Sequence, residues 1–128
     1  LFDFTADSLV PQVGKAYKDQ KQASVAEHAS LEFSQNAGSG APLALATMDS
    51  GAIVTVGLNE IETVRPTQAG ASVSPEGQAK ILSGVSSSTT GVESTYGMEL
   101  AFYVPPLGSK DKIRLLGYTQ GLISARGL

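Results

Sequence analysis

The single histidine and the acidic side chains are the residues of this chain that could perform chemistry. His28 is the one base from which a hydrolytic triad could be built, and Glu27 precedes it. No Gly-x-Ser-x-Gly elbow accompanies it. A lone imidazole beside a carboxylate is more typical of a surface residue, and one imidazole cannot form a histidine-rich metal site. We therefore expect no catalysis at His28.

A pair of carboxylates offers a second possible chemistry, glycoside hydrolysis. Glu60 and Glu62 lie two residues apart in an alternating run, so they share one face if the run is a strand. Glu93 and Glu99 are further candidates. Nothing in their spacing separates these side chains from ordinary solvent-facing acids. We therefore expect exposed carboxylates rather than a catalytic pair.

Patterns that would hold a cofactor or a metal are incomplete. Asp49-Ser50-Gly51 is too sparse for a calcium loop, and Gly38-Ser39-Gly40 lacks the further glycine and the lysine of a phosphate-binding loop. The chain has no cysteine, which excludes disulfides, thiolate zinc sites and thiol nucleophiles. The sequence predicts that the protein is not an enzyme and binds no cofactor or metal.

The elements that position these residues are predicted to be mainly β. The 128 residues are 16% charged, and the chain is rich in Ser, Thr and Gly, residues that suit exposed sheet faces and turns. Short apolar runs alternate with turn signals. The sequence therefore predicts one domain over residues 1–128, an antiparallel sandwich or barrel-like fold of seven to nine short strands with at most one short helix near residues 15–30.

Three segments carry the strand prediction. Apolar runs over 43–48 and 52–56, separated by Asp49-Ser50-Gly51, predict a hairpin. A second turn over 57–60 and an alternating run over 61–65 extend it to a three-stranded meander. Residues 79–82 fit a short strand, and 97–104 with 112–118 predict a second hairpin.

The remaining segments allow alternatives. Residues 15–30 favour a helix by their alanines, but the apolar stripe is thin, and a long strand towards Leu31 is the alternative. Extended arms are predicted at 1–13 and 122–128. The first arm, with Phe2 and Phe4, either packs on its own domain or crosses to a neighbouring subunit. The second could instead be a last edge strand.

The charge and hydropathy of the chain limit its partners. The formal net charge of −3 and the scattered basic residues make nucleic acid an unexpected partner. No run approaches the roughly 18 apolar residues that span a bilayer, and no signal-peptide pattern is present, so we expect no membrane insertion. The chain begins at Leu1 rather than Met, as expected of a processed product, a fragment or an incomplete start.

The predicted function rests on surfaces rather than on chemistry. A contact surface is predicted from exposed aromatic, proline and terminal residues, namely Phe2, Phe4, Tyr103, Pro105, Pro106 and Tyr118. The first hypothesis is a non-catalytic structural subunit, such as a virion coat or decoration protein or a filament subunit, whose partners are other copies of itself or a neighbouring structural protein. An extracellular or virion-surface location would fit. The alternative is a carbohydrate- or protein-binding module of a surface protein.

Overall fold

The computed structural model describes residues 1–4, 7–25 and 27–128; residues 5, 6 and 26, which fall in the predicted arm and the predicted helix, lie outside the described part. The strands are β1 (Ala29–Ala37), β2 (Leu43–Ala46), β3 (Ala52–Pro66), β4 (Val92–Val104) and β5 (Arg114–Gly127), and the helices are α1 (Val10–Val13), α2 (Lys15–Ser24) and α3 (Gly77–Ser83). All strand pairs are antiparallel, and they form one open sheet. The prediction of a mainly β fold is confirmed.

Strand β3 is a central strand of the sheet and pairs along both of its edges. On one edge it pairs with β1 along residues 58–66 and with β2 along 52–55, so β1 and β2 lie end to end. On its other edge it pairs with β4 along residues 52–64, and β4 in turn pairs with β5. The predicted hairpin across residues 43–56 is confirmed. Its turn is closed by Ser50, which has a φ of 66°, and by the Gly51 amide, which donates to the Asp49 carboxylate at 3.1 Å.

The predicted turn over residues 57–60 is wrong, because β3 runs through it without a break. Gly57 acts there as a point of close approach rather than as a turn residue. A Cβ added to Gly38 would lie 2.8 Å from the Gly57 carbonyl carbon. Residues predicted as two strands joined by a turn thus form the single strand β3, and β4 and β5 are longer than predicted. The structure therefore has five strands rather than the predicted seven to nine.

The helices differ from the prediction in number. A helix within residues 15–30 is confirmed but ends at Ser24. Residues 79–82 belong to α3 rather than to a strand, and α1 is a further short helix, so the expectation of at most one helix is wrong. A short apolar run does not separate helix from strand by periodicity. The sequence does contain a residue typical of a helix C-terminus after α3: Gly84 caps this helix with a φ of 69°.

The two faces of the sheet are covered unequally. Directly opposed residues of antiparallel strands point to the same side, and the register places the buried sheet residues Leu31, Glu60, Glu62, Val92, Met98, Leu100 and Leu115 on one side, here called the covered face. Helix α2 packs against β1, and α3 packs against β5. The opposite side, which carries Ile53, Thr55, Gly57 and Asn59 of β3, is called the open face.

Both chain ends are held by this sheet. Phe2 forms a parallel bridge with Ile113, just before β5, and its ring lies edge-on to Phe102, with 6.1 Å between centroids. The described part of the predicted first arm therefore packs on its own domain. Residues 122–127 continue β5, so the predicted second arm is the end of an edge strand.

Candidate functional site

The covered face holds two buried carboxylates, which the sequence analysis expected to be exposed. Glu60 is 1% exposed and Glu62 is 8% exposed, so the expectation of solvent-facing acids is wrong for both. Both lie on β3 at alternate positions, so they share the face that was expected if both belonged to one strand. Because charges are rarely buried without partners, the question becomes what stands opposite them.

Helix α2 supplies the partners through two lysines three residues apart. Lys18 Nζ lies 2.8 Å from Glu60 Oε2, and Lys21 Nζ binds Glu62 Oε1. Gln35, opposite Glu60 on β1, donates to the same Oε2 at 2.9 Å. Within the described part of the chain, the other oxygen, Glu60 Oε1, is buried without a hydrogen-bond partner.

These ion pairs attach a helix that has no apolar stripe. None of the residues of α2 is fully buried, and its sequence, KAYKDQKQAS, is polar on most sides. The lysine stems instead pass over aromatic rings: Lys18 Nζ lies 5.2 Å from the centroid of Phe33, and Lys21 Nζ lies 5.5 Å from that of Tyr96. Electrostatic attraction and lysine packing therefore hold α2 where hydrophobic burial usually would.

The titration of this cluster follows from its burial. Burial lowers the pKa of Lys21, but the hydrogen bond and the charge of Glu62 outweigh this effect and raise the pKa above its ordinary value of 10.5. Burial, followed by the nearby charge of Glu62, raises the pKa of Tyr96 above 10.0. Both groups keep their protons at neutral pH, so Lys21 is positively charged beside Glu62 and Tyr96 is a neutral phenol.

A cleft of about 360 Å³ lies beside Tyr96, where α3 faces β5. Its lining comes from Glu76, Gln78 and Ala79 on the helix side and from Gln120 and Leu122 on the strand. In the sheet register, Glu60, Tyr96 and Leu122 lie in one row, so Tyr96 stands between the buried carboxylate and the cleft. The two glutamates are not part of the lining.

The open face has a different character. Thr55, Asn59 and Thr119 alternate there with glycines, and two adjoining hollows of about 340 Å³ and 260 Å³ share Glu99 and Thr119 in their lining. The hollows exist because glycines 57, 97 and 117 lack side chains at positions that face outward. Glu99 is exposed, and no hydrogen bond or ion pair joins it to another described residue.

Exposed aliphatic side chains also lie on the open face, and one of them, Ile123, lines the smaller hollow. Leu45 is 59% exposed, Ile123 is 59% exposed and Ile53 is 37% exposed. Ile123 is the extra residue of a β-bulge, and it lies over Gly97, whose added Cβ would be 3.1 Å from Ile123 Cγ2. The open face therefore combines a few exposed aliphatic side chains, a glycine floor and two exposed carboxylates without a described partner, Glu99 and Glu32, which lies opposite Thr63.

Comparison with known proteins identifies a family. The family described as Domain of unknown function (DUF8094) matches residues 4–127. The chain belongs to this family. No curated protein and no solved structure matches the chain.

For this family member, the structure separates the residues of the predicted contact surface. Phe2 and Phe4 pack edge-on with 4.9 Å between ring centroids, at the end of the sheet where β4 finishes. Pro105 and Pro106 follow β4 directly at that end. Tyr118, opposite Leu100, lies on the covered face, whereas Tyr103 lies on the open face.

Tyr103 is held by two charged neighbours. Its hydroxyl donates to the Asp49 carboxylate, and the guanidinium carbon of Arg114 lies 5.2 Å from its ring centroid. Hydrogen bonds from Thr47, Tyr103 and the Gly51 amide lower the pKa of Asp49 to about 2. The bond to Asp49 in turn raises the pKa of Tyr103. Tyr103 thus ties the β2–β3 turn to β4.

The remaining chemical candidates stay apart. His28 is exposed in the turn before β1, and Glu93 forms an ion pair with Arg126 at 2.9 Å. In residues 1–4, 7–25 and 27–128, no three His, Asp or Glu side chains are grouped to hold a metal ion. Among the same residues, no helix is long and apolar enough to cross a membrane.

The sequence analysis missed the lysine pair and the glycine floor. Lys18 and Lys21 had a weak signal, since lysines three apart lie on the same side of a helix and can pair with an acidic surface there. The glycines also had one, because isolated glycines inside strand patterns mark hollows or close approaches. Neither signal says which strand lies opposite, and that depends on the tertiary structure.

Proposed function

We propose that the domain is a non-catalytic structural subunit that acts through contacts with other copies of itself, as a virion coat or decoration protein or a filament subunit does. The observation that carries the proposal is the open face, the side of the sheet that no described helix covers and on which Leu45, Ile53 and Ile123 are exposed beside glycine-floored hollows. An uncovered sheet face that exposes several aliphatic side chains is the kind of surface through which proteins make contacts.

The extent of the exposed surface supports the same proposal. The chain exposes 8184 Å² to solvent, whereas a folded monomer of this length typically exposes about 6,400 Å². The excess, roughly 1,800 Å², is about what two standard interfaces remove from one partner. A single sheet with helices on one side leaves the other side available for such contacts.

The non-catalytic part of the proposal rests on where the carboxylates lie and on what they pair with. Glu60 and Glu62 are paired with lysines beneath α2, away from the lining of the clefts. A glycosidase needs two carboxyl groups that reach the substrate. The accessible Glu99 has no second carboxylate in the hollows that it lines.

The partner surface must be apolar and must bring a positive charge to Glu99. A second copy has both features in the loop between β4 and β5. Leu107 is 106% exposed there, and neither Lys110 nor Lys112 has an ion-pair partner among the described residues. A loop inserted into the open face of the next copy is a head-to-tail contact, which builds rings or filaments.

Sedimentation velocity over a wide concentration range tests the proposal. We expect the wild-type chain to form species larger than a dimer, and Glu99→Lys to abolish them. Lys110→Glu with Lys112→Glu should do the same, and combining all three substitutions should restore assembly. Met48→Glu, at a 107% exposed turn residue, is the matched control. A wild-type chain that stays monomeric at its highest soluble concentration would refute the proposal.

A further inference from the structure

Two clefts adjoin where α3 faces β5, and they share Gln78 and Leu122 in their linings. The cleft of about 360 Å³ beside Tyr96 has mainly polar side chains around it and is here called the polar cleft. Ile81 and Leu82 complete the lining of the other, which has a volume of about 280 Å³ and is called the apolar cleft. A ligand that spans both clefts would therefore be amphiphilic.

The polar cleft offers hydrogen-bonding groups that the protein itself does not use. The side chains of Glu76, Gln78 and Gln120 are exposed there, and they form no hydrogen bond or ion pair with a described residue. Tyr96 is half-buried, and its hydroxyl has no hydrogen-bond partner within the described part of the chain. Two amides and a phenol can each donate and accept. This combination matches the hydroxyl groups of a sugar or another polyol, which also donate and accept.

The charges around the clefts favour an uncharged head group. Among the described residues that line the two clefts, Glu76 is the one charged residue, and none is basic. The ammonium of Lys21, 5.5 Å from the centroid of the Tyr96 ring, is already paired with Glu62. A phosphate, a sulfate or a fatty-acid carboxylate would therefore meet a negative charge without a free cation to bind it. A cationic head group would gain little from a single exposed carboxylate.

The apolar cleft has the side chains that an aliphatic tail requires. Ile81 is 80% exposed and Leu82 is 50% exposed. Each methylene buried against them would strengthen binding about fourfold, so two of them would give roughly a fifteenfold gain. Small-molecule sites typically have volumes of about 300–1,000 Å³. Each cleft alone is at or near the lower limit, whereas the two together lie well inside this range, which favours a ligand that occupies both.

We propose that the two clefts form one binding site for an uncharged amphiphile, a molecule with a hydroxyl-rich head group such as a sugar and an aliphatic tail. The head group lies in the polar cleft, where its hydroxyls bond to Tyr96 and Gln120. The tail lies in the apolar cleft against Ile81 and Leu82. Tyr96 and its neighbour on β5 are on the covered face, whereas the proposed assembly uses the open face. The inference therefore does not rest on the proposed function.

Alkyl glycosides are suitable probes because their head group and tail can be varied separately. The measurement is an amide chemical-shift titration of the Glu99→Lys chain, which removes the proposed open-face contacts. The ligands are octyl β-glucoside and octyl β-galactoside below their micelle concentrations. We expect saturable shifts at residues 78–82 and 120–122, and none at residues 55–59 of the open face. Methyl β-glucoside lacks the tail and octanoate carries a negative charge, so each should bind at least tenfold more weakly.

Variants of the two clefts test the head group and the tail in turn. Ile81→Ser should raise the dissociation constant of the octyl glycosides at least tenfold, because it removes a side chain that contacts the tail. Tyr96→Phe and Gln120→Ala should each raise it at least threefold, because each removes a hydrogen-bonding group. Leu116→Ser is the matched control, since Leu116 is 54% exposed on β5 and lines neither cleft. It should leave the dissociation constant unchanged.

Several results would overturn the inference. One is the absence of saturable shifts with both octyl glycosides, or shifts confined to residues 55–59. Another is binding of methyl β-glucoside or octanoate as tight as that of the octyl glycosides, since the site would then take a sugar alone or an anion. Equal losses in Leu116→Ser and Ile81→Ser would indicate non-specific adsorption of the tail. A wild-type chain that stays monomeric, which contradicts the open-face proposal, leaves all these expectations unchanged.

Discussion

The attachment of α2 through buried ion pairs leads to a prediction about stability. Replacing Lys18 with Met keeps the side-chain volume but removes the positive charge opposite Glu60, which is 1% exposed. Breaking a buried ion pair by removing one partner costs about 3–5 kcal/mol, because it leaves an uncompensated buried charge. Gln35 still donates to Oε2 and Lys18 is 22% exposed in the wild type, so the lower end applies. We expect Lys18→Met to lower the free energy of unfolding by about 3 kcal/mol.

Matched variants separate this effect from a general loss of helix surface. Lys15 forms an exposed pair with Asp19 on the same helix, with side chains 86% and 55% exposed. Lys15→Met should therefore cost less than about 0.5 kcal/mol. The double variant Lys18→Met with Glu60→Met removes both charges and should return to within about 1 kcal/mol of wild type or exceed it.

Urea denaturation, followed by circular dichroism at neutral pH, measures the free energy of unfolding of the wild type, the two single lysine variants and the double variant. A loss of about 3 kcal/mol corresponds to a fall of roughly 10 °C in Tm for a domain of this size, which gives an independent check. If Lys18→Met proved no more destabilising than Lys15→Met, the buried pair would not be what holds α2 on the sheet.

Three further predictions concern pKa values and backbone conformation. Because the folded pKa of Tyr96 is raised above its ordinary 10.0, stability should fall as pH rises past about 10. The pKa of Tyr103 is raised as well, so ultraviolet titration should show two late-titrating tyrosines, and Tyr96→Phe should remove one of them. The pKa of Asp49 is about 2, so its contribution to stability is present above pH 3.8 and lost as pH falls towards 2. Tyr103→Phe should move this pKa back towards 3.8 in a carbon-detected NMR titration, and an unchanged value would contradict the assigned hydrogen bond. Gly91 has a φ of 130°, and an added Cβ would lie 2.7 Å from a backbone oxygen, so Gly91→Ala should lower the free energy of unfolding by about 3 kcal/mol. Gly84 has a φ of 69° but open space around it, so Gly84→Ala should lower it by only about 1 kcal/mol. Urea denaturation measures both values.

Local sequence patterns determined the facing of side chains within a strand and the position of one hairpin turn. The alternation across residues 61–65 correctly placed Glu62 and Arg65 on opposite sides, and the turn at Asp49-Ser50-Gly51 correctly joined β2 to β3. These features depend on neighbours along the chain, since side chains alternate across a strand and Asp and Gly favour tight turns. The absence of cysteine was likewise fixed by composition.

Long-range pairing decided the features that the patterns missed. Residues 57–60 resembled a turn, but hydrogen bonds to β1 on one edge and β4 on the other keep the backbone extended. Residues 79–82 are compatible with helix or strand, and packing of α3 against β5 accompanies the helical form. Local propensity is weak at both places, so tertiary contacts determined the outcome.

Glu60 and Glu62 show most clearly which features depend on local sequence and which depend on tertiary structure. The sequence by itself indicated that Glu60 and Glu62 share a face if both lie on one strand, but it predicted a turn at residues 57–60. Only the tertiary structure decided that this face is the covered one and that Lys18 and Lys21 stand over it. The reason is physical: alternation is a property of one strand, whereas burial depends on which helix, distant in sequence, packs against that strand.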